Sequence, residues 1–408
     1  MNIFKMRLPQ IHRLIFCCII FSIFPKENSS AQTHHTGYDT TIIVGAARFE
    51  QYVTSLKNKN VALICNQTSL VGKTFLADTL LSLGVHLTKL FAPEHGLRGT
   101  EDAGATIVNS TDVKTGLPVI SLYGNHNKPT ADDLKDVDVV LFDIQDVGVR
   151  FFTYISTMSY AMEACAKSKK DFIVLDRPNP NGFYVDGPVL QKNFTSFVGL
   201  HPVPIVYGMT EGEYAQMVNG ENWLPDSLTC NLTVVRCSDY THHSLYKLPV
   251  KPSPNLVNMQ AVFLYPSTCL FEGCAVSCGR GTDRPFQFIG YPSFPDSLAH
   301  FTPKSMPGAT NPPFVNQLCF GYDLSVFNYG YFESQHRIML QWLIEFYQKS
   351  QSRSTFFTDY FDKLAGNSQL RTDIINGKTE QQIRDAWQPD LTAFKQIRKK
   401  YLLYPDFE

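Results

Sequence analysis

The sequence predicts an α/β fold, with a Rossmann-like, mostly parallel, doubly wound sheet followed by a smaller α+β domain. Three observations favour it. Short apolar runs recur through the first half of the chain, they are continuous rather than alternating, and helical patterns lie between them. No G-x-G-x-x-G motif follows the first run, so we expect no dinucleotide cofactor.

The predicted strands of the sheet are six apolar runs. Strands that are buried on both faces of a parallel sheet are apolar at every position, and these runs have that composition. In chain order they are 61–65, 85–91, 119–122, 137–142, 172–175 and 203–206.

Three helices are predicted between these strands. A leucine stripe over 76–83 is ended by Gly84, a C-cap residue. A second apolar stripe covers 151–165 with spacings of three and four residues. Thr210 and Glu213 have the spacing of a capping box at the start of a third helix.

The second half of the chain is richer in loops. Residues 292–313 contain six prolines, which predict a long irregular connection. Helical stripes return at 338–347 and 383–401, and we expect Pro389 to break the second one. The predicted domains are the Rossmann-like domain at 38–250 and the α+β domain at 251–408.

The first 31 residues have the pattern of a secretory signal peptide. Basic residues precede an apolar run at 14–24, and small residues at 29–31 suit a cleavage site. The run is too short to span a bilayer comfortably. We therefore expect a soluble, exported protein, periplasmic or extracellular, without a membrane attachment after cleavage.

Charge and motif content exclude several classes of protein. The chain has 36 Lys and Arg against 37 Asp and Glu residues, so it lacks the basic surface of a nucleic-acid binder. The sequence has no H-E-x-x-H motif, and the cysteine pair Cys274 and Cys278 lacks a second pair at zinc-site spacing, so we expect no metal. A G-x-S-x-G elbow is also missing from the sequence, which disfavours the common serine hydrolases. Cys230 and Cys237 are the favoured pair if disulfides form.

Polar clusters follow five of the predicted strands. Ligands bind beyond the carboxyl ends of the strands in an open parallel sheet, so these clusters are expected to meet at one rim. They are 66–68, 93–99, 123–126, 143–150 and 176–182.

Glu94 is the sharpest catalytic candidate in these clusters. A carboxyl group held just after a buried strand and partly desolvated is suited to donate a proton. A structural ion pair with Arg98 or a helix N-terminal cap is the alternative role for Glu94. Asp143 and Asp146 are candidates for the second carboxylate that glycosidic cleavage normally uses.

Three long strings then resemble the signatures of one bacterial family, the exo-β-N-acetylmuramidase (NamZ) family. They are 91–99 (FAPEHGLRG), 143–154 (DIQDVGVRFFTY) and 175–180 (LDRPNP). Shorter similarities reach to 401–405, so the resemblance covers nearly all of 41–408. It implies release of N-acetylmuramic acid from the non-reducing ends of peptidoglycan fragments. It also implies a Rossmann-like catalytic domain without a cofactor and an auxiliary C-terminal domain.

The resemblance and the residues together predict a mechanism. The family's proposed catalytic acid, in its P-E-H-G motif, falls on Glu94, which would protonate the glycosidic oxygen. Asp146 or Asp143 would then activate water or attack C1, with Glu272 in reserve. The substrate's own acetamido group is a further alternative, so retention and inversion both stay open.

Substrate binding is predicted for twelve residues around this rim. The lactyl carboxylate of N-acetylmuramic acid calls for a cation, for which Arg280 and Arg177 are candidates. Aromatic rings would pack on the sugar. The predicted set is Asn66, His95, Arg98, Tyr123, Gln145, Arg150, Tyr154, Arg177, Asn179, Glu272, Arg280 and Phe286.

Two alternatives from other classes remain at this point. A periplasmic sugar-binding protein would share the export signal and the α/β architecture, but it would need two matched lobes. A metal-dependent phosphoesterase or amidase would use His95 and His126 with Asp143, and a chelator would inactivate it.

Overall fold

A seven-stranded sheet forms the centre of the fold in the computed structural model. The structure describes residues 37–102, 104–105, 109–295 and 298–408. The strands are β1 (Val61–Cys65), β2 (Leu70–Val71), β3 (Thr74–Phe75), β4 (Leu87–Ala92), β5 (Ser110–Thr111), β6 (Pro118–Ser121), β7 (Val139–Asp143), β8 (Asp171–Leu175), β9 (Asn231–Val235), β10 (Phe288–Tyr291), β11 (Ala299–Phe301) and β12 (Cys319–Asp323). The helices are α1 (Leu76–Ser82), α2 (Ala131–Leu134), α3 (Tyr154–Ser168), α4 (Glu211–Gly220), α5 (Met259–Thr268), α6 (Tyr329–Gln335), α7 (Leu340–Lys349), α8 (Asp359–Ala365), α9 (Gln369–Ile375) and α10 (Glu380–Lys399).

The central sheet has the strand order β5-β6-β4-β1-β7-β8-β9. Every neighbouring pair in it is parallel except β5 and β6 at one edge. Strand β1 lies in the middle, where Leu63 pairs with Leu90 of β4 and with Leu141 of β7. Both β1 and β7 are buried along their whole length, as their continuous apolar sequences predict.

The two faces of the sheet belong to two separate cores. Leu63 and Leu141 contribute to the core that contains α1, whereas their neighbours Ile64 and Phe142 contribute to the core that contains α3 and α4. This alternation follows from the two-residue period of a strand. The sheet is therefore covered on both sides, as a doubly wound fold requires.

Five of the six predicted strands are confirmed as β1, β4, β6, β7 and β8. The prediction for 203–206 is wrong. This segment is extended, but it makes only isolated bridges, from Val206 to Val149 and to Asp186. The last parallel strand is instead β9, an edge strand with alternating exposure that a search for continuous apolar runs does not detect.

The capping box at the start of α4 is confirmed. The Thr210 backbone N–H donates to the Glu213 carboxylate at 2.9 Å, and the Glu213 N–H donates to the Thr210 hydroxyl at 3.3 Å. The predicted break at Pro389 is wrong, because α10 continues through it. Pro389 lies on the exposed side of the helix, and buried residues such as Trp387 and Leu391 hold the opposite side against the core.

The second half of the chain contains a three-stranded antiparallel sheet and five helices that follow it. The strand order is β10-β12-β11, and α6 to α10 come after β12. Residues 38–408 form one compact unit. The chain end returns to the central sheet, where the Tyr404 hydroxyl donates to the Asp176 carboxylate at 2.6 Å. The domain boundary at residue 250 stays a prediction.

Two further sequence predictions concern the cysteines and the N-terminus. The predicted signal segment at 1–31 lies outside the described residues. Among the helices of the described part, none is long and apolar enough to cross a membrane. The eight cysteines of the described residues are buried thiols that form no disulfide. Cys230 and Cys237 flank β9 at opposite ends, about 20 Å apart for an extended strand, which is too far for a bond.

Arg150 is a buried cross-link between distant segments. Its guanidinium donates to the backbone carbonyls of Pro188, Val203 and Leu364, each at 2.8 Å. The side chain is fully buried, and this burial lowers the pKa of Arg150 to about 9. The segment 203–206 lies outside the sheet because its backbone bonds to Arg150 and to residues 186 and 190 instead of to a strand of the sheet.

We expect the change Arg150→Met to lower the free energy of unfolding by about 3 kcal/mol or more, because three buried hydrogen bonds to backbone carbonyls are lost. Urea denaturation monitored by circular dichroism measures the difference. The matched control is the exposed Arg236, for which Arg236→Met should change stability by less than about 0.5 kcal/mol. Equal stability of the Arg150→Met and Arg236→Met proteins would contradict the assignment.

Candidate active site

A cavity of about 300 Å³ lies beyond the carboxyl ends of β4 and β7. The loop after β4 contributes Glu94 and His95, and the start of α3 contributes Thr153 and Tyr154. The second half of the chain contributes Glu272, Arg280 and several aromatic rings. The cavity is therefore built where ligands bind in open parallel sheets.

The carboxyl group of Glu94 is held at the cavity wall by three donors. The Tyr123 hydroxyl and the Gly104 N–H donate to Oε1 at 2.9 and 3.3 Å, and the Thr153 hydroxyl donates to Oε2 at 2.6 Å. Only 8% of Glu94 is exposed. The side chain thus has one orientation, with both oxygens at the surface of a largely desolvated cavity.

The turn after Glu94 explains how this position is reached. His95 and Gly96 both have positive φ, at 69° and 74°, so the chain reverses direction immediately after Glu94. The His95 ring is fixed through Nδ1, which lies 2.7 Å from the Glu101 carbonyl oxygen. Burial lowers the pKa of His95, which favours the neutral imidazole beside the glutamate.

Aromatic rings form a continuous wall of the cavity. Tyr154 meets Phe152 edge-to-face with centroids 4.8 Å apart, and Phe152 meets Tyr265 at 5.9 Å. Tyr265 in turn meets Phe286 at 4.8 Å. Such edge-to-face packing keeps the rings rigid and leaves apolar surface for the carbon-bound hydrogens of a ligand.

Glu272 and Arg280 form an ion pair at the cavity. Arg280 donates from Nε to Glu272 Oε1, and its guanidinium lies over the Phe286 ring, 5.0 Å from the centroid. Although burial lowers the pKa of Arg280, the Glu272 carboxylate raises it more, and the net shift is upward. The cavity therefore contains a permanently charged cation with a fixed orientation, and Nε is one of its five N–H donors.

The structure brings seven of the predicted site residues to this cavity. They are Glu94, His95, Tyr123, Tyr154, Glu272, Arg280 and Phe286. The other eight predicted residues are not among the residues that line it. They are Asn66, Arg98, Asp143, Gln145, Asp146, Arg150, Arg177 and Asn179.

The residues outside the cavity shape its loops instead. Asp143 and Arg177 form a fully buried bidentate ion pair, with Arg177 Nε and Nη2 at 2.7 and 2.9 Å from the two carboxylate oxygens. Arg98 pairs with Asp112 at 2.6 Å. Because these guanidinium groups lie outside the cavity, they are not placed to bind a ligand inside it.

The three amide side chains of the predicted set also bond to the protein backbone or to a neighbouring turn. Gln145 donates to the Pro178 carbonyl at 2.8 Å, and Asn179 donates to the Met209 carbonyl at 2.8 Å. Asn66 Oδ1 accepts from the Thr68 N–H at 2.9 Å. These contacts fix the backbone of the turns that follow the strands, so the amides have a structural role at the rim of the sheet.

Sequence reasoning missed several residues of the cavity. Phe152 and Thr153 lie inside the string 143–154, but the site prediction took mainly the charged and amide residues of that string and passed over these two. Tyr265 is buried among the aromatic residues of α5 and has the pattern of a core residue. The remaining missed residues come from irregular loops and short elements far apart in the chain; they include Phe197, Ser253, Asn255 and Tyr360.

Among the described residues, no group of three or more His, Cys, Asp or Glu side chains has the arrangement of a metal site.

Two family models match the chain. The model described as "Exo-beta-N-acetylmuramidase NamZ, N-terminal" matches residues 61–260, and the one described as "Exo-beta-N-acetylmuramidase NamZ, C-terminal" matches residues 263–404. The chain belongs to the NamZ family. The family predicted from the sequence strings is thereby confirmed.

Relatives and solved structures agree with this NamZ assignment. The chain is 40% identical over 391 residues to "Peptidoglycan beta-N-acetylmuramidase NamZ" of Bacillus subtilis (strain 168), covering 90% of this chain and 91% of the relative. It is also similar to two crystal structures of DUF1343 family proteins from Bacteroides fragilis NCTC 9343. The first has 46% identity and a TM-score of 0.84, and it covers 90% of this chain and 99% of the other. The second has 30% identity, a TM-score of 0.74, and coverage of 89% and 99%.

This NamZ protein has a pair of buried carboxyl groups, Asp146 in the loop after β7 and Glu211 at the start of α4. Asp146 Oδ2 accepts from the Tyr207 hydroxyl and from the Gly148 N–H, the latter at 2.5 Å. Burial raises the pKa of Asp146 to about 7, although these donors oppose the shift. Burial and the nearby Asp146 carboxylate raise the pKa of Glu211 well above its usual range. The loop is therefore more stable when this pair carries a proton.

We predict that the protein loses stability as the pH rises through 7. An unfolded aspartate has a pKa of about 4. Since the folded pKa of Asp146 is about 7, its protonated form favours the fold, and this contribution is lost between about pH 4 and 7.

Melting temperatures at pH 5 and pH 8 measure this loss. The Asp146→Asn protein should show a smaller fall in melting temperature than the parent protein. Asp239→Asn, at an exposed aspartate, is the matched control and should keep the parent's pH dependence. An unchanged pH dependence in Asp146→Asn would refute the role of this carboxyl group.

Proposed function

We propose that this protein is an exo-acting glycosidase that releases N-acetylmuramic acid from the non-reducing ends of peptidoglycan fragments, with Glu94 as the general acid. The observation that carries the proposal is the carboxyl group of Glu94, fixed by three hydrogen bonds in an aromatic cavity. Membership of the NamZ family and the printed activity of the Bacillus subtilis relative support the substrate class. For the same reason we set aside the sugar-binding and phosphoesterase alternatives.

The hydrogen-bond donors around Glu94 suit the carboxylate that remains after Glu94 has given up its proton. A general acid becomes a carboxylate when it has protonated the glycosidic oxygen, and hydrogen bonds to that carboxylate lower the barrier. Tyr123, Thr153 and the Gly104 N–H supply three such bonds. Glu94 in its protonated form needs only one oxygen for the substrate, and the other stays anchored to the wall.

We propose Glu272 as the second carboxylate, in place of Asp146 and Asp143. Glu272 lines the cavity, whereas the two aspartates are buried outside it. Its ion pair with Arg280 fixes the carboxylate at the cavity surface, where it can activate water or stabilise positive charge at C1. The substrate's acetamido group remains an alternative nucleophile.

Arg280 is the proposed recognition group for the lactyl carboxylate. The guanidinium uses Nε for Glu272 and carries four further N–H donors that suit a second carboxylate. His95 is a poor competitor, because burial favours its neutral form. N-acetylglucosamine has no lactyl group, so this contact would discriminate the two sugars.

Export completes the proposal. Peptidoglycan lies outside the cytoplasm, and the sequence pattern of 1–31 is that of a secretory signal peptide. We therefore propose that the mature protein acts on cell-wall fragments in the periplasm or outside the cell. The same enzyme could serve recycling of the cell's own wall or scavenging.

The change Glu94→Gln should lower kcat/KM on the disaccharide of N-acetylmuramic acid and N-acetylglucosamine by about 10²- to 10⁴-fold. The loss should be much smaller on a nitrophenyl β-N-acetylmuraminide, because a nitrophenolate leaves without needing a proton. Steady-state kinetics on both substrates measure the difference, and Glu50→Gln, at an exposed glutamate, is the matched control. Equal losses on the two substrates would show that Glu94 is not the proton donor.

The change Arg280→Met should lower the preference for the muraminide over the matching glucosaminide by about 10- to 100-fold, because a charge-assisted contact to the lactyl group is lost. The ratio of kcat/KM values is the readout, since loss of the Glu272 partner affects both sugars equally. Arg284→Met is the matched control, because the Arg284 guanidinium lies 4.9 Å from the centroid of the Phe288 ring, much as that of Arg280 lies over Phe286. An unchanged ratio in Arg280→Met would remove Arg280 from substrate recognition.

A further inference from the structure

A groove of about 720 Å³ continues from the catalytic cavity. The two spaces share Glu272, Arg280 and Tyr360, so a ligand can pass from one to the other. One wall of the groove contains residues 100–102, which follow Glu94 in the chain, and the other wall is the segment 307–313. We infer that this groove binds the leaving-group side of the substrate and holds two further sugars of a glycan chain. The inference rests on the proposed function.

The volumes support two sugars rather than one. The catalytic cavity measures about 300 Å³ and would hold one N-acetylmuramic acid residue. The groove measures about 720 Å³, more than twice that volume. Together the two spaces have room for a substrate that extends past the disaccharide.

The groove is preformed, because its outer wall is fixed from three directions. The Asp102 carboxylate accepts from the backbone N–H of Thr310 at 2.8 Å and from its hydroxyl. Asn255, which lines the catalytic cavity, donates to the Gly308 carbonyl at 2.7 Å. Lys304 N–H donates to the carbonyl of Gly281 at 2.8 Å.

Close packing around Gly281 reinforces the contact between Gly281 and Lys304. A Cβ at Gly281 would lie 2.6 Å from both the Lys304 oxygen and the Pro312 ring, so the outer wall packs directly on the loop that carries Arg280. Pro307, Pro312 and Pro313 further restrict the backbone of this wall. A wall that needs no rearrangement binds a sugar chain without a large ordering cost.

The chemistry of the walls suits an oligosaccharide. Thr310, Asn311 and Asp102 present hydroxyl, amide and carboxylate groups that can bond sugar hydroxyls, and the three prolines present apolar surface. This mixture of polar groups and apolar surface is what a sugar ring, with hydroxyls at its edge and carbon-bound hydrogens on its faces, requires.

The test compares substrates of increasing length. We expect kcat/KM to rise by about tenfold or more from the muramyl disaccharide to the corresponding tetrasaccharide. Asn311→Trp, which fills the groove from an exposed position, should lower the ratio of the two values to near one. Gln317→Trp is also at an exposed position but lies beyond the wall segment 307–313 and outside the groove, and it should keep the parent's ratio. Equal kcat/KM for the two substrates, or an unchanged ratio in Asn311→Trp, would overturn the inference.

A binding measurement separates this inference from the proposed function. Calorimetry with the Glu94→Gln protein should give a dissociation constant about tenfold or more lower for the tetrasaccharide than for the disaccharide. The Glu94→Gln/Asn311→Trp protein should bind both alike. Failure of the parent protein to hydrolyse any muraminide would refute the proposed function, whereas equal affinities in Glu94→Gln would refute the extended groove.

Discussion

The hydrogen bonds to the Glu94 carboxyl group are the contacts on which the candidate site depends. They join three loops that follow strands of the central sheet: Glu94 follows β4, Tyr123 follows its neighbour β6, and Thr153 follows β7, which lies on the other side of β1. In a parallel sheet these loops emerge at the same edge, but nothing in the strands themselves brings them into contact. The Glu94 carboxyl group brings them into contact, because its two oxygens accept hydrogen bonds from donors in the other loops. The group proposed to give up the proton is therefore also the group that fixes the geometry of the cavity.

A layer of buried polar residues supports this arrangement from outside the cavity. The Asp143–Arg177 ion pair and the three carbonyl contacts of Arg150 hold the loops after β7 and β8 in place. Buried charged groups are costly unless they are paired, and here the partners of Arg177 include a carboxylate, while those of the two terminal nitrogens of Arg150 are backbone carbonyls. Removing one of these buried residues should change the shape of the rim without removing a direct contact with substrate.

The fold was predictable because its strongest signals are local. Continuous apolar runs identified β1, β4, β6, β7 and β8, and a four-residue capping box identified the start of α4. The failures share a cause that lies outside each segment. The segment 203–206 has a strand composition, but its carbonyls bond to Arg150, and Pro389 is tolerated because the buried side of α10 stabilises the helix around it.

The site was predictable only as far as the rim of the sheet. The sequence places polar residues after each strand, but the backbone of each turn decides whether a side chain enters the cavity or bonds beneath it. His95 and Phe286 owe their positions to positive φ values, at 69° and 61°, which no periodicity indicates. Residues such as Ser253 and Tyr360 reach the cavity only through tertiary packing, so the sequence around them carries no sign of it.

The two halves of the chain contribute different parts of the chemistry. Glu94 and its donors come from the first half, while Arg280, Glu272 and the outer wall of the groove come from the second. The proposed proton donor and the proposed recognition group for the acidic sugar thus meet in one cavity only when the two halves are packed together. Arg150 maintains that packing, since the same guanidinium bonds Val203 in the first half and Leu364 in the second. A residue that touches no substrate in our proposal therefore helps to hold together the two halves of the chain that carry the proposed acid and the proposed cation.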